Sequence, residues 1–298
     1  MSKMITIAID AMGGDGSPKK IIDGINHHYK STSDVFYKIY GDQEQISKFL
    51  PSTLNQKSFK IFDTKNIVKG TDTPLEAAKR GKDTSMWLAI ESVKKKEADV
   101  VISAGNTGAL LVISKLNLKM IENIDKPALS ALWPNKKGMS VVLDLGANIE
   151  CSDKNLIDFA IMGSSLFKSL YPDETAKVAL LNIGSEEIKG NEVIKETYKK
   201  LNQVENLDFE FKGYIEGNNL MKGEVNVIVS DGFTGNIALK TAEGTANFIT
   251  EELKKALTNN IIGKLSGLLN YMNLKKFKKR LDPRLYNGAI FIGLNSPV

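Results

Sequence analysis

The chain is poor in the residues that most often carry covalent or metal chemistry. Its 298 residues contain one cysteine, Cys151, and two histidines, His27 and His28. A single cysteine excludes an internal disulfide and fits a reducing cytoplasm. There is no CxxC, HExxH or clustered Cys/His, so neither a metal nor any other cofactor is expected. The two histidines are adjacent on the first predicted helix, where packing or a surface position is the better reading. No GxSxG elbow occurs, so a Ser-His-Asp triad has no support. Arginine is scarce as well, with only Arg80, Arg280 and Arg284. The net charge of +5 and pI of about 8.9 therefore rest on lysine. Nucleic-acid binders usually concentrate arginine and interleave aromatics, whereas these lysines are spread, so nucleic acid is not an expected partner. An acidic protein or an anionic membrane surface fits the charge at least as well. Mean hydropathy is -0.17, and the lack of any long uncharged apolar stretch argues against a membrane span. The opening MSKMITIAID passes straight into a strand without an apolar signal region, so no secretory leader is expected.

What the chain does have is five glycine- and asparagine-rich loops, each directly after an apolar, β-prone run. The runs are Ile5–Asp10, Val100–Ser103, Val141–Asp144, Val178–Ile183 and Val225–Ser230. The loops read AMGGDGSP from Ala11, AGNTGAL from Ala104, LGAN from Leu145, GSEEIKGNE from Gly184 and DGFTGN from Asp231. Short buried strands with glycine punctuation predict a mostly parallel sheet, and the right-handed crossover rule then favours a three-layer α/β/α architecture. The length allows one large α/β unit or two lobes. Ligands of such sheets bind at the carboxyl ends of the strands. Loops gathered there offer many backbone N–H groups and few acids or bases, a chemistry suited to an anion and above all to phosphate.

Strand and helix alternate along the chain. Ser17 and Pro18 predict an N-cap and first helical position for a helix to about Tyr29. Val35–Tyr40 and Phe59–Phe62 read as strands. Pro74–Arg80 and Asp83–Lys96 read as helices interrupted at Gly81, and a further helix follows from Thr107. Helices are also expected over Asp153–Leu170, Asn191–Leu201 and Thr234–Thr258, with a half-exposed strand around Phe209 and Phe211. Residues 245–283 form a helical extension, in which Ile261, Ile262, Leu265, Leu268, Leu269 and Met272 fall on one helix face. Lys275, Lys276, Lys278, Lys279 and Arg280 follow as a basic end. A helix packed on the core or on a second subunit and a peripheral membrane contact are equally good readings.

Taken singly, the loops are weak signals. Gly14-Asp15-Gly16 lacks the third glycine of a dinucleotide fingerprint, and Gly235 with Lys240-Thr241 lacks the glycine before the lysine of a P-loop; each alone is more often a tight turn. Asn106, Asn148, Asn191 and Asn236 add amide donors but could equally close turns or cap helices. Lys189, between Gly184 and Gly190, is the best candidate for a charged catalytic group, although alone it reads as one exposed lysine among many.

Together the segments resemble the bacterial phosphate acyltransferase family of phospholipid synthesis. The resemblance lies in DAMGGD at Asp10–Asp15, ISAGNTGAL at Ile102–Leu110, DLGAN at Asp144–Asn148, GSEEIKGNE at Gly184–Glu192 and SDGFTGN at Ser230–Asn236. KPAL at Lys126–Leu129, AIMG at Ala160–Gly163 and KTAEG at Lys240–Gly244 agree in order and spacing. It implies transfer of a fatty acyl group from acyl carrier protein to inorganic phosphate. The acyl phosphate product then passes to the downstream glycerol-3-phosphate acyltransferase. It further implies a homodimer, a cytoplasmic location with loose membrane association, and a fold similar to isocitrate and isopropylmalate dehydrogenases and to phosphotransacetylase, with a protruding helical segment.

A thioester is already activated, so phosphate can attack it without a protein nucleophile; the enzyme must position phosphate and stabilise the oxyanion. The expected catalytic residues are Lys189, as the cation for phosphate or oxyanion, and Asn236 as a donor. Phosphate and substrate contacts are expected from Asp10, Gly13, Gly14 and Asp15 in the first loop and Gly105, Asn106, Thr107 and Gly108 in the second. The remaining loops are expected to supply Asp144 and Asn148, Gly184 and Asn191, and Asp231, Thr234 and Gly235. Ile261–Met272 is the expected lipid or acyl contact, and the lysine-rich surface suits an acidic carrier protein. The sequence departs from the family at Gly16, where histidine is common, and at Asn287, where glycine is. The resemblance also predicts a further segment beyond Val298. Three other readings compete. Acyl transfer with coenzyme A shares the chemistry. A metal- and NAD-dependent decarboxylating dehydrogenase would need an arginine cluster. A carrier-protein-binding scaffold would bind without turnover.

Overall fold

The computed structural model describes residues 4–32, 34–281 and 288–298. Its backbone forms two compact units, the first running to Pro127 and including Phe291–Val298, the second Ala128–Ile290.

The first unit is built from β1 (Ile5–Asp10), α1 (Lys19–Tyr29), β2 (Val35–Gly41), α2 (Gln43–Ser47), β3 (Phe59–Asp63), α3 (Pro74–Arg80), α4 (Ser85–Lys94), β4 (Val100–Ser103) and α5 (Thr107–Leu118). Its sheet has the order β3-β2-β1-β4, parallel throughout. Alternate side chains of a strand face opposite sides. Ile9, Tyr37 and Ile39 pack with Ile22 and Ile25 of α1, while Lys38, one residue out of phase, reaches Ser92 of α4 at 3.3 Å. Helices therefore cover both faces. The expected cap at Ser17 is not formed: Pro18 occupies the N-cap position without a side-chain bond, and the Ser17 hydroxyl donates instead to the Gly13 carbonyl. Proline suits a position where a backbone N–H would have no helical partner.

The second unit contains β5 (Ala128–Pro134), β6 (Met139–Leu143), α6 (Asp153–Leu170), β7 (Lys177–Asn182), α7 (Glu192–Gln203), β8 (Glu210–Glu216), β9 (Val227–Val229), α8 (Gly232–Thr258), α9 (Ile261–Leu269) and α10 (Tyr271–Leu281). The last strand, β10 (Ala289–Ile292), completes a six-stranded sheet of order β10-β5-β6-β9-β7-β8. The pairs β6–β9, β9–β7 and β7–β8 are parallel, and β5 runs antiparallel to β6. Val142 and Ile228 pack in a cluster with Ala238, Leu239 and Ala242 of α8. Leu143 and Val227 face α6, where a Cβ on Gly163 would stand 2.6 Å and 2.7 Å from their methyl groups. This is the layered α/β class, realised in two separate sheets.

The stripe expected on one helix is divided. α9 ends at Asn270, whose Nδ2 donates to the Ser266 carbonyl at 3.2 Å, and α10 starts at the next residue. Ile261, Ile262, Leu265, Leu268 and Leu269 lie on α9, Met272 lies on α10, and all six are exposed. Among the described residues no helix is long and apolar enough to cross a membrane. Asn287 lies outside the described residues.

α6 and α7 are joined by an ion pair between Asp153 and Lys200. The Lys200 hydrogen bond holds the Asp153 carboxyl below its ordinary range, and the same bond raises the Lys200 ammonium. The depressed carboxylate stabilises the fold above its unfolded value and loses that effect as pH falls through the folded value. The raised ammonium does so below its unfolded value and loses it as pH rises through the folded one. Lys200→Met should therefore lower Tm modestly at pH 7, and the difference from the native protein should vanish under acid titration. Thermal melts across pH would read both.

Candidate active site

Each of the five loops follows the carboxyl end of a parallel strand. Two belong to the first unit and three to the second.

In the first unit β1 and β4 are neighbours, so the loops after Asp10 and Ser103 leave the same sheet edge side by side. Asp10 is buried and holds both. Its Oδ1 accepts from the Ser85 hydroxyl at 2.7 Å and the Met12 N–H at 3.2 Å, and its Oδ2 accepts from the Ser103 hydroxyl at 2.7 Å. The Ser103 hydroxyl in turn accepts from Gly105 N–H at 3.1 Å. Gly13 rests against this network: a Cβ there would stand 2.6 Å from Asp10 Oδ2 and 2.7 Å from the Gly105 nitrogen. Gly13→Ala must push one of the two loops away, and we expect a loss of about 1–3 kcal/mol, read as a lower midpoint in denaturant titration. Gly14 packs on the Ala104 carbonyl, and Asp15 beside it is exposed. Asn106 caps α5 through the Ala109 N–H at 3.0 Å, and its Nδ2 donates to the carbonyls of Gly70 and Asp72 at 3.1 and 2.9 Å. Its amide is thus occupied within the protein. Thr107 and Gly108 form the first turn of α5, with Gly108 against Pro74.

In the second unit β6, β9 and β7 are adjacent and parallel, which brings three loops to one edge. Asp144 is fully buried and organises the first. Its Oδ1 accepts from the N–H groups of Leu129, Gly146 and Ala147 at 3.0, 3.2 and 2.9 Å. Its Oδ2 accepts from the backbone and side-chain amides of Asn148, both at 2.8 Å. Burial pushes the Asp144 carboxyl above its ordinary value, against the opposing pull of these donors. Gly235 lies against the same turn, since a Cβ there would be 2.0 Å from the Asp144 carbonyl oxygen. A Cβ on Gly146 would meet the Asn236 amide nitrogen at 2.8 Å, so that exposed amide lies over the turn.

The loop after β7 is pinched at its base by Asn182, which is buried and whose Nδ2 donates to the carbonyls of Gly184 and Lys189, both at 3.2 Å. Gly190, at φ +93, closes the turn, and a side chain there would strike Asn182 Oδ1. Between these ends Lys189 is exposed and has no ion pair among the described residues. Two residues on, Asn191 caps α7 by accepting from Ile194 N–H at 2.9 Å. Asp231 caps α8, its oxygens taken by the Thr234 N–H at 2.7 Å and the Thr234 hydroxyl at 3.0 Å. The starts of α7 and α8 border a cavity of about 490 Å³, lined by Asn191, Asp231 and Thr234 together with Ile149, Leu156 and Phe233 among others. Lys189 and Asn236 do not line it. Helix N-termini carry partial positive charge, which suits an anion.

Sequence reasoning found the loops and missed their supports. Ser85 and Asn182 were given no role, and Ser230 stood only as the first residue of a motif; its hydroxyl donates to the Leu143 carbonyl at 3.1 Å and ties β9 to β6 beside Asp144. Only a polar residue in an otherwise apolar run, as at Asn182, could have signalled one of them.

The chain matches the family described as fatty acid synthesis protein over residues 5–298. It is 80% identical over 298 residues to the phosphate acyltransferase of Pelagibacter ubique, covering 100% of this chain and 89% of that protein. It is 42% identical over 302 residues to the phosphate acyltransferase of Maricaulis maris, covering 100% and 86%. Among solved structures it resembles a phosphotransacetylase from Streptococcus pyogenes, with a TM-score of 0.62 and 16% identity over 100% of this chain and 88% of that one. At that identity the likeness concerns the fold alone. The motif order, the layered α/β units and the two close relatives agree: the chain belongs to the phosphate acyltransferase family and is an acyltransferase acting in acyl transfer that involves phosphate.

Proposed function

We propose that the protein transfers a fatty acyl group from acyl carrier protein to inorganic phosphate, giving acyl phosphate for phospholipid synthesis. A phosphate oxygen attacks the thioester carbonyl carbon, the new C–O bond forms, and the C–S bond breaks with the carrier thiolate as leaving group. The observation that carries this reading is the convergence of three loops at one sheet edge, where α7 and α8 begin and Lys189, without an ion pair among the described residues, stands two residues before the α7 cap. Those groups supply positive potential without a nucleophile, which is what direct attack on an activated ester requires. In this reading Lys189 and Asn236 act on the reacting atoms. The backbone of the glycine loops and the helix N-termini hold phosphate, while Asp10 and Asp144 keep the loops in shape.

The same proposal makes the protein a cytoplasmic homodimer that touches anionic membranes through the exposed stripe of α9 and Met272, with the lysines of α10 meeting lipid head groups. Acyl carrier protein, being acidic, docks on the lysine-rich surface, and acyl phosphate passes to a glycerol-3-phosphate acyltransferase at the membrane. In a second reading, which shares the same chemistry, coenzyme A carries the acyl group. Release of thiol from acyl-carrier-protein and from acyl-coenzyme A, measured over a range of phosphate concentrations, tests both. Saturable phosphate dependence with the carrier protein is the expected result. Preference for coenzyme A would favour the second reading, and phosphate-independent release would overturn both.

A further inference from the structure

Large apolar side chains are exposed on all three loops of the second unit. Ile149 follows β6, Ile188 follows β7 at 80% exposure, and Phe233 follows β9 at 60%. Single exposed hydrophobes need no explanation, but two of them at one cavity do. Ile149 and Phe233 stand at the cavity bordered by α7 and α8, whose deeper wall includes Leu156, Val193 and Ile194. Its polar lining comes from the helix caps Asn191 and Asp231, from Thr234 and from Glu150. An anion alone has no use for such walls, whereas a ligand with a charged or polar end and a hydrocarbon tail uses both. The volume of about 490 Å³ lies in the range of small-molecule sites.

We infer that this cavity is the subsite for the acyl chain of the transferred group, with Phe233 and Val193 as its length-determining residues. The inference rests on the proposed phosphate site at the same loops and deepens it. The other apolar groove in this unit, about 340 Å³ among Leu253, Leu257, Leu274 and Phe277, cannot serve a carbonyl reacting at those loops. α8 is one continuous helix from Gly232, so Leu253 lies about 32 Å along it at roughly 1.5 Å per residue. A sixteen-carbon chain, with fifteen bonds of about 1.5 Å, reaches at most about 23 Å. The cavity at the start of α8 is within reach, and the groove near its end is not.

The test uses S-acylpantetheine thioesters of graded chain length, assayed for phosphate-dependent thiol release. Calorimetry of the dodecanoyl compound without phosphate gives a second readout. With the native protein, kcat/KM should rise roughly four-fold per added methylene until the cavity is full. Phe233→Ala should cost roughly ten-fold with the dodecanoyl donor and leave the butanoyl donor within about two-fold. Val193→Phe should narrow the cavity and move the cut-off to shorter chains. Equal losses at every length, or no loss at any, would overturn the inference. So would a change in oligomeric state accompanied by length-independent loss, because a second copy of the chain would then be what covers Phe233. If the native protein binds the dodecanoyl thioester with Phe233-dependent affinity yet shows no phosphate-dependent turnover, the subsite stands and the proposed reaction falls.

Discussion

Lys189→Met should lower kcat/KM for phosphate by about 10²–10³, the usual cost of removing one group that stabilises a developing oxyanion. Methionine keeps the length of the side chain and its packing on Gly184, where a Cβ would lie 3.0 Å from Lys189 Cγ. What is lost is the charge. The ammonium is exposed and makes no ion pair among the described residues, so its removal should change stability by no more than about 0.5 kcal/mol. A large kinetic effect with an unchanged melting curve separates a chemical role from a structural one. If the cation acts mainly on bound phosphate, KM for phosphate rises and kcat holds; if it acts on the oxyanion, kcat falls in step with kcat/KM. Lys189→Arg should recover part of the loss in either case. Turnover within about two-fold of native at saturating phosphate would remove Lys189 from the mechanism, since a single oxyanion donor is worth far more than that.

The elements themselves were legible because each has a local cause. Ile5–Asp10 and Val100–Ser103 are runs of β-branched residues ended by glycine loops, and they are β1 and β4 to the residue. Asp153–Leu170 coincides with α6 because Ser152 and Asn155 form a reciprocal cap at one end and Tyr171-Pro172 stops the other. The division of the parallel runs between two sheets was not legible, because which strand pairs with which depends on contacts far apart in sequence. The antiparallel β5 was visible only as the KPAL segment at its start, since an apolar run does not announce its direction. The break at Asn270 was hidden because the apolar spacing continues across it. At the site, the loops were readable from glycine and asparagine, but the side chains that hold them were not. Asp10 is joined to Ser85 across 75 residues, and nothing local marks that serine as its partner. Asn106 looked like a substrate donor because the type fits, yet its amide is taken by two backbone carbonyls.

Asp144→Ala should be the most destabilising single change at the site, on the order of 5 kcal/mol or more. The carboxylate receives five N–H bonds from Leu129, Gly146, Ala147 and Asn148, and the residue is 0% exposed. Alanine leaves those donors facing a void. Each buried donor left without an acceptor costs about 1–3 kcal/mol, and even with partial relaxation the sum rivals the whole stability of a typical domain. The damage is not confined to one turn. Leu129 N–H belongs to β5, and Gly235 at the start of α8 packs so closely on this turn that an added Cβ would stand 2.0 Å from the Asp144 carbonyl oxygen. The Gly146–Asn148 turn also carries Asn148, whose carbonyl accepts from Gly232 N–H at 2.7 Å. One carboxylate thus aligns β5, the turn after β6 and the start of α8. Asp144→Asn is the discriminating variant. It keeps an acceptor for the Leu129, Gly146 and Ala147 groups but turns an N–H₂ toward the two Asn148 donors. Denaturant titration should rank it between native and Asp144→Ala, and its phosphate kinetics should be impaired beyond the fraction unfolded because the turn beneath Asn236 has shifted. A native midpoint for Asp144→Ala would mean that the five bonds are not what holds these loops together.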